Sequence, residues 1–314
     1  SGIAIRYEMN IWIIAAILIS QYLLSSFFQP IASAMIADIM PPQKRASGYA
    51  LMRMAGNVGW GIGPAIGGFL FDISYESLFF FTAVIFLISG IYTVFSIKET
   101  VIPIKREKQV KSNGMNIKSM VKAFRRDRVF LFFCIIALLL FLTWGQFVST
   151  LSVFMKRDIG LSSPQIGWVY TFNAMLVIIF QVLVTHWTRR RNHFLLMIVG
   201  SLLFAFSYAV MGWVSGFAMM MIMMIFITFG EMFAGPSGNA IASNMARPGQ
   251  FGRYQGIYSS ISTLGWSLGP AIGGVMMDLI PDMHMFWLSM SSFGFISVFG
   301  FLILYFKTKG KPAV

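Results

Sequence analysis

Glu231 is the residue with the most chemistry to offer. It stands alone inside FAMMMIMMIFITFGEMFAGPSGNA, residues 217–240, a run with no other charge. At bilayer depth a charged side chain costs about 2.5–3.5 kcal/mol on insertion scales. Burial disfavours the charged form, which would let Glu231 load and release a proton. The same carboxylate could instead ligate a cationic substrate, or hold its proton and hydrogen-bond a neighbouring helix. Gln146, Asn173 and Gln181 are polar groups in other apolar runs. Asn173 and Gln181 are eight residues apart, about two helical turns, so they share a face. Trp144 and Tyr170 fall near the same levels, and a few polar groups among aromatics suit a cavity for an amphipathic organic molecule. Arg53 and Asn57 lie one turn apart and could contact a substrate or a gate. Arg53 could equally extend its charge to the membrane surface.

Other chemistries find no support in the sequence. Cys134 is the single cysteine, so neither a disulfide nor a thiolate metal cluster can form from it. His186, His193 and His284 lack metal-ligand spacing to one another, and Met219–Met221 with Met223 and Met224 read as flexible apolar packing rather than a copper site. There is no nucleophile elbow and no zinc-hydrolase pair. Residues 61–67, GIGPAIG, superficially resemble a dinucleotide fingerprint, but that motif needs a preceding strand and an exposed helix start. An intramembrane enzyme would need catalytic groups paired at one depth, and only isolated ones occur. The expectation is therefore a protein that is not an enzyme and holds no cofactor or metal.

The elements that carry these residues must be membrane helices. Of 314 residues, 57% are hydrophobic and 11% are charged, with mean hydropathy +0.74. A soluble domain carries about a quarter charged residues. Apolar runs predict nine spans, at 11–38, 47–71, 77–97, 128–154, 163–188, 193–214, 216–244, 254–278 and 284–306. All must be helical, because lipid offers the backbone no hydrogen-bond partners. The net charge of +13 sits in alternate connections, 39–46, 98–127, 189–192, 245–253 and 307–314, rather than in aromatic-interleaved stripes. This excludes nucleic acid as the natural partner. It places those connections and the C-terminus in the cytoplasm and residues 1–10 outside. Lys156 and Arg157 are the exceptions on the outer side. Residues 98–127 form the one long basic linker. The expected organisation is a first bundle of three spans in 1–97, the linker 98–127, and a six-span bundle in 128–314.

An internal repeat orders these helices. Residues 59–72 read GWGIGPAIGGFLFD and residues 265–278 read GWSLGPAIGGVMMD, an offset of 206. The offset also pairs Pro30 with Pro236, Ala34 with Ala240 and Pro42 with Pro248. Both copies run the same way through the membrane, as in transporters made of two equivalent halves. On this reading a first half of equal length would need roughly 80 further residues upstream, about three spans. Gly59, Gly63 and Gly67 share a helix face, as do Gly265, Gly269 and Gly273, and Gly68 and Gly274 adjoin them. Small residues at this spacing let helices approach closely in lipid. Pro64 and Pro270 favour a kink.

Residues 59–68, GWGIGPAIGG, resemble the antiporter motif in the fifth helix of major facilitator drug exporters. Residues 37–45, ADIMPPQKR, resemble that family's connection between helices four and five. Gly230-Glu231, Pro236 and residues 252–256, GRYQG, are similar to its helix ten and the following loop, and Arg53, Asn57, Asn173 and Gln181 fit the multidrug-efflux branch. The resemblance covers essentially the whole chain, as helices four to twelve. It implies an all-α membrane protein with the major facilitator fold lacking about its first three helices. It also implies a monomeric, proton-coupled exporter of small amphipathic molecules in a prokaryotic cytoplasmic membrane, working by alternating access. The first glycine copy is expected to pack against the helix at 163–188. The second would pack against a helix absent from this sequence, leaving its glycine face unpartnered. Asp38, Arg45 and Arg253 are candidates for a cytoplasmic gate, although Asn244 stands where Asp38 stands in the first repeat. A nutrient importer or uniporter of the same fold, and a non-transporting scaffold, are the alternatives.

Overall fold

The computed structural model describes residues 11–26, 28, 31, 32, 35, 45–96, 127–147, 149–188, 191–246 and 250–308. Among these the regular structure is wholly helical: α1 Ile11–Ser26, α2 Arg45–Ile73, α3 Tyr75–Ser96, α4 Arg128–Gly145, α5 Thr150–Arg157, α6 Ser163–Thr188, α7 His193–Met211, α8 Phe217–Asn244, α9 Phe251–Leu279 and α10 Met283–Thr308. Among the described residues six helical runs are long and apolar enough to cross a membrane: Glu76–Ser96, Arg128–Arg157, Ser163–Thr188, His193–Met211, Phe217–Asn244 and Met283–Thr308. The 29-residue helices α2 and α9 hold the two glycine motifs, whose small residues dilute their apolar character. Large apolar side chains such as Phe95, Val94 and Val182 are exposed along these helices, as a lipid-facing surface requires.

The expected span 128–154 is interrupted. α4 ends at Gly145, residues 146, 147 and 149 turn, and α5 resumes at Thr150. Gly160, with φ +75°, adopts a left-handed conformation that a side chain would resist, between α5 and α6. Local sequence sets two helix starts. Asp127 caps α4, its Oδ1 accepting the Phe130 N–H at 3.1 Å, while the Tyr254 hydroxyl of α9 donates to Oδ2 at 2.9 Å. Asn192 caps α7 by accepting from the N–H of Phe194 at 2.8 Å.

α1–α3 and the first turns of α6, Ser163–Thr171, form one compact unit; α4, α5, the rest of α6 and α7–α10 form a second. In the first unit α2 crosses the start of α6 closely. A Cβ on Gly167 would lie 3.1 Å from Ala65 Cα, and one on Gly68 would lie 3.2 Å from Pro164 Cα. The Thr171 hydroxyl donates to the Gly61 carbonyl at 2.7 Å. The crossing therefore runs over Gly61, Pro64 and Gly68. Gly59 and Gly63 meet no described atom within 4 Å, and Gly67 faces Leu78 of α3. The face expected from the four-residue spacing is thus one step around the helix from the face that makes the contact. A groove of about 1130 Å³ lies between α1 and α3, lined by residues such as Trp12, Ile17, Phe79 and Phe86.

The second unit is built on aromatic packing. Tyr208 stacks on Trp287 with ring centroids 5.4 Å apart, and Phe154 meets the same indole edge-on at 5.2 Å. Its second seam corrects an expectation. The Gly265–Gly269–Gly273 face is covered by α4. A Cβ on Gly269 would lie 2.9 Å from the Leu142 carbonyl oxygen and 3.0 Å from Gly145 Cα. Gly265 faces Phe141, and Gly273 faces Gln146 and Thr150. The physical reason is Gly145: a second glycine on the facing helix lets the two backbones touch. Gly274, off this face, meets nothing described within 4 Å.

Candidate functional site

Glu231 sits half-buried in the middle of α8. Its Oε2 lies 3.5 Å from Asn173 Nδ2 on α6, and the same amide donates to the Thr228 hydroxyl at 2.8 Å. Thr228 is buried and in turn donates to the Met224 carbonyl at 2.6 Å. Its hydroxyl proton is thus committed to its own helix, and its oxygen is the acceptor that orients Asn173. Beyond this polar cluster the two helices meet through Val177, Val184 and Met232, with Phe180, Phe229 and Phe233 packed around them. The Glu231 carboxyl thus faces a neutral amide donor beside an apolar contact between the two helices.

An aromatic group adjoins the next turn of α8. The rim of the Trp144 ring would be 3.7 Å from a Cβ on Gly235, four residues after Glu231. Trp144 stacks on Phe141 at 5.6 Å and meets Phe204 at 5.2 Å and Trp266 at 5.6 Å. Phe204 also lies against Gly230. The lack of a side chain at Gly230 is what admits the Phe204 ring, whereas a Cβ at Gly235 would make ordinary contact with Trp144.

The remaining candidates divide. Gln146 is 1% exposed and bridges helices: its Nε2 donates to the Gly269 carbonyl at 2.8 Å and to the Leu142 carbonyl at 3.0 Å. Its Nε2 is spent on the α4–α9 seam, whereas its Oε1 is buried without a hydrogen-bond partner among the described residues. Gln146→Leu is accordingly expected to lower stability by about 1 kcal/mol, read as a drop in unfolding temperature in detergent. Altered substrate binding at unchanged stability would return Gln146 to a cavity wall. Gln181 donates to Thr185 on its own helix at 3.1 Å and reaches no other described element through that bond. Tyr170 is buried on the part of α6 that belongs to the first unit. Asn57 is half-buried on α2. The side chains of Arg53 and Arg45 lie outside the described residues, as does Asp38 altogether. Arg253 has its Nη2 buried without a hydrogen-bond partner among the described residues, while the neighbouring Tyr254 makes the bond to Asp127. No cluster of three metal-ligating side chains occurs among the described residues.

Sequence reasoning did not single out Thr228, Phe204, Trp266 or Asp127. Thr228 carried one signal, its position three residues before Glu231, which places it on the same face.

A helical protein with apolar exteriors and glycine-mediated crossings has the construction of an integral membrane protein. Comparison with known proteins agrees. The sequence model of the Major Facilitator Superfamily matches residues 2–157 and 134–314, and the chain belongs to that family. Among relatives, multidrug resistance protein 2 of Bacillus subtilis (strain 168) is 28% identical over 262 residues, covering 81% of this chain and 64% of the relative. Multidrug resistance protein MdtH of Escherichia coli (strain K12 / DH10B) is 23% identical over 295 residues, covering 92% and 70%. The chain thus spans less than two thirds of the length of the Bacillus relative. Among solved structures, a POT family transporter in complex with 5-aminolevulinic acid superposes with TM-score 0.67 at 16% identity, covering 89% of this chain and 73% of that one. The nucleoside transporter NupG gives 0.63 at 15%, covering 83% and 68%. At these identities the structures speak for the fold.

Proposed function

We propose that this chain is the larger part of a proton-coupled exporter of small amphipathic organic molecules that works by alternating access. The observation that carries the reading is the Asn173–Thr228–Glu231 cluster, a titratable group inside an apolar helix faced by an oriented amide donor. A group of this kind changes its charge when its exposure changes, and a charge change can bias one orientation of a transporter over another. The relatives named for multidrug resistance support the substrate class. Trp266, half-buried against the Trp144 ring, offers an apolar face suited to aromatic or lipophilic guests. In the same reading the chain has nine spans, three within 1–97 and six within 128–314, joined by the linker 98–127. Its C-terminus is cytoplasmic, residues 1–10 are extracytoplasmic, and the working unit is a monomer in a prokaryotic cytoplasmic membrane. Arg53, Asn57, Tyr170 and Gln181 remain candidates for substrate contacts, and Asp38, Arg45 and Arg253 for a gate.

The test is proton release from purified protein in weakly buffered detergent solution on addition of a lipophilic cation such as a tetraphenyl-substituted phosphonium. Release of protons on binding is the expected result. Binding without release would reject proton exchange in favour of a uniporter or nutrient importer of the same fold.

A further inference from the structure

The junction of α6 and α7 carries a feature outside the hydrogen-bonded Glu231 cluster. Arg191 places its guanidinium carbon 5.0 Å from the centre of the Trp187 ring. Phe233 of α8 packs on that indole at 6.3 Å, which helps fix its plane. Both Arg191 and Trp187 are exposed, the latter by 58%. Just before them on α6, Val182 and Leu183 are 75% and 62% exposed. The ion pair among the described residues is Arg157 with Asp158, so the Arg191 guanidinium meets no carboxylate there. In the sequence Arg191 ends the run Arg189-Arg190-Arg191, and the positive end of the α7 dipole follows it.

Along 182–191 the chain therefore presents an apolar strip, then an amphipathic indole, then an unpaired cation. A phospholipid presents matching chemistry in the same order: acyl chain, ester region, phosphate. We propose that this junction binds the headgroup of an anionic phospholipid. Arg191 takes the phosphate, the Trp187 indole lies at the ester level, and an acyl chain follows Leu183 and Val182. The indole plane orients the guanidinium, so its N–H donors stay available to phosphate oxygens. The preference for an anionic lipid comes from charge. A zwitterionic headgroup brings its own ammonium, which offsets the phosphate and is repelled by the Arg191 guanidinium; phosphatidylglycerol brings none.

The experiment places the full chain in phosphatidylcholine vesicles containing an equal minor fraction of bromine-labelled phosphatidylglycerol or bromine-labelled phosphatidylcholine. Bromine quenches nearby indoles, and the Trp187 component is the difference between the unmodified protein and Trp187→Phe. Enrichment of the anionic lipid at the site by about fivefold predicts much stronger quenching of that component by labelled phosphatidylglycerol. The excess disappears in Arg191→Gln and survives in Lys307→Gln. Equal quenching by the two lipids overturns the proposal, as does an excess that persists in Arg191→Gln. An excess abolished by inorganic phosphate at matched ionic strength also overturns it, by assigning the site to free phosphate. Arg191 and Trp187 are exposed and remote in sequence from the Glu231 cluster, so failure here leaves the proton-exchange reading untouched.

Discussion

Glu231→Gln is expected to lower proton-driven substrate accumulation in proteoliposomes by about 5- to 150-fold, the range of ordinary coupling free energies. Substrate affinity measured without a proton gradient should change much less. The reason lies in what the substitution keeps. Glutamine has the length of glutamic acid and retains a carbonyl oxygen where Asn173 Nδ2 now faces Oε2 at 3.5 Å. The Asn173–Thr228 bond at 2.8 Å does not involve Glu231 and should persist. Apolar packing by Val177, Val184 and Met232 is also unaffected. The variant thus removes titration while keeping these contacts, and an unfolding temperature in detergent equal to that of the unmodified protein separates lost coupling from misfolding. Flux that follows the proton gradient undiminished in Glu231→Gln would sink the assignment. Loss of binding together with coupling would make Glu231 a substrate ligand instead.

Glu231 was visible in the sequence because a charge in an apolar run stands out against everything around it. Its partner Asn173 was visible for the same reason, but their meeting was not, since nothing in either helix states which neighbour it faces. In water, an amphipathic stripe marks the inward face. In lipid both faces of a helix are apolar, and the stripe that would have aligned α6 with α8 is missing. Thr228 was hidden more deeply. A threonine in a helix commonly bonds the carbonyl one turn back, as Thr228 does with Met224, and its second role as acceptor leaves no trace in sequence. Gln146 shows the same limit from the other side: its polarity was evident, whereas its commitment to the Gly269 carbonyl depends on the end of α4 at Gly145. The glycine repeat gave the helix pair its chemistry but not its geometry. Two copies with nearly identical residues pack through different faces, Gly61–Pro64–Gly68 against α6 and Gly265–Gly269–Gly273 against α4. A spacing of four identifies a face; the partner is chosen by which facing helix also offers a small residue, Gly167 in one case and Gly145 in the other.

That difference makes a sharp stability contrast within one motif. Gly269→Val is expected to destabilise the second unit by about 1–3 kcal/mol or more, the usual range for overpacking. The added Cβ would stand 2.9 Å from the Leu142 carbonyl oxygen and 3.0 Å from Gly145 Cα. These are backbone atoms of a hydrogen-bonded helix, so no rotamer change can relieve the contact and α4 must be pushed away from α9. Separation would also stretch the Gln146–Gly269 bond of 2.8 Å, so the two losses are coupled rather than additive. Gly274→Ala, one residue past Gly273 on the same helix, adds a methyl group where nothing described lies within 4 Å. There the change should be neutral or stabilising, because alanine favours the helix over glycine by about 1 kcal/mol. Unfolding temperatures in detergent for the two variants, side by side, decide the matter. A large loss for Gly269→Val with none for Gly274→Ala would establish the α4–α9 seam as the structural role of the second repeat. Similar small effects for both would mean that α4 does not approach α9 through this face, and that the glycines serve a partner helix elsewhere.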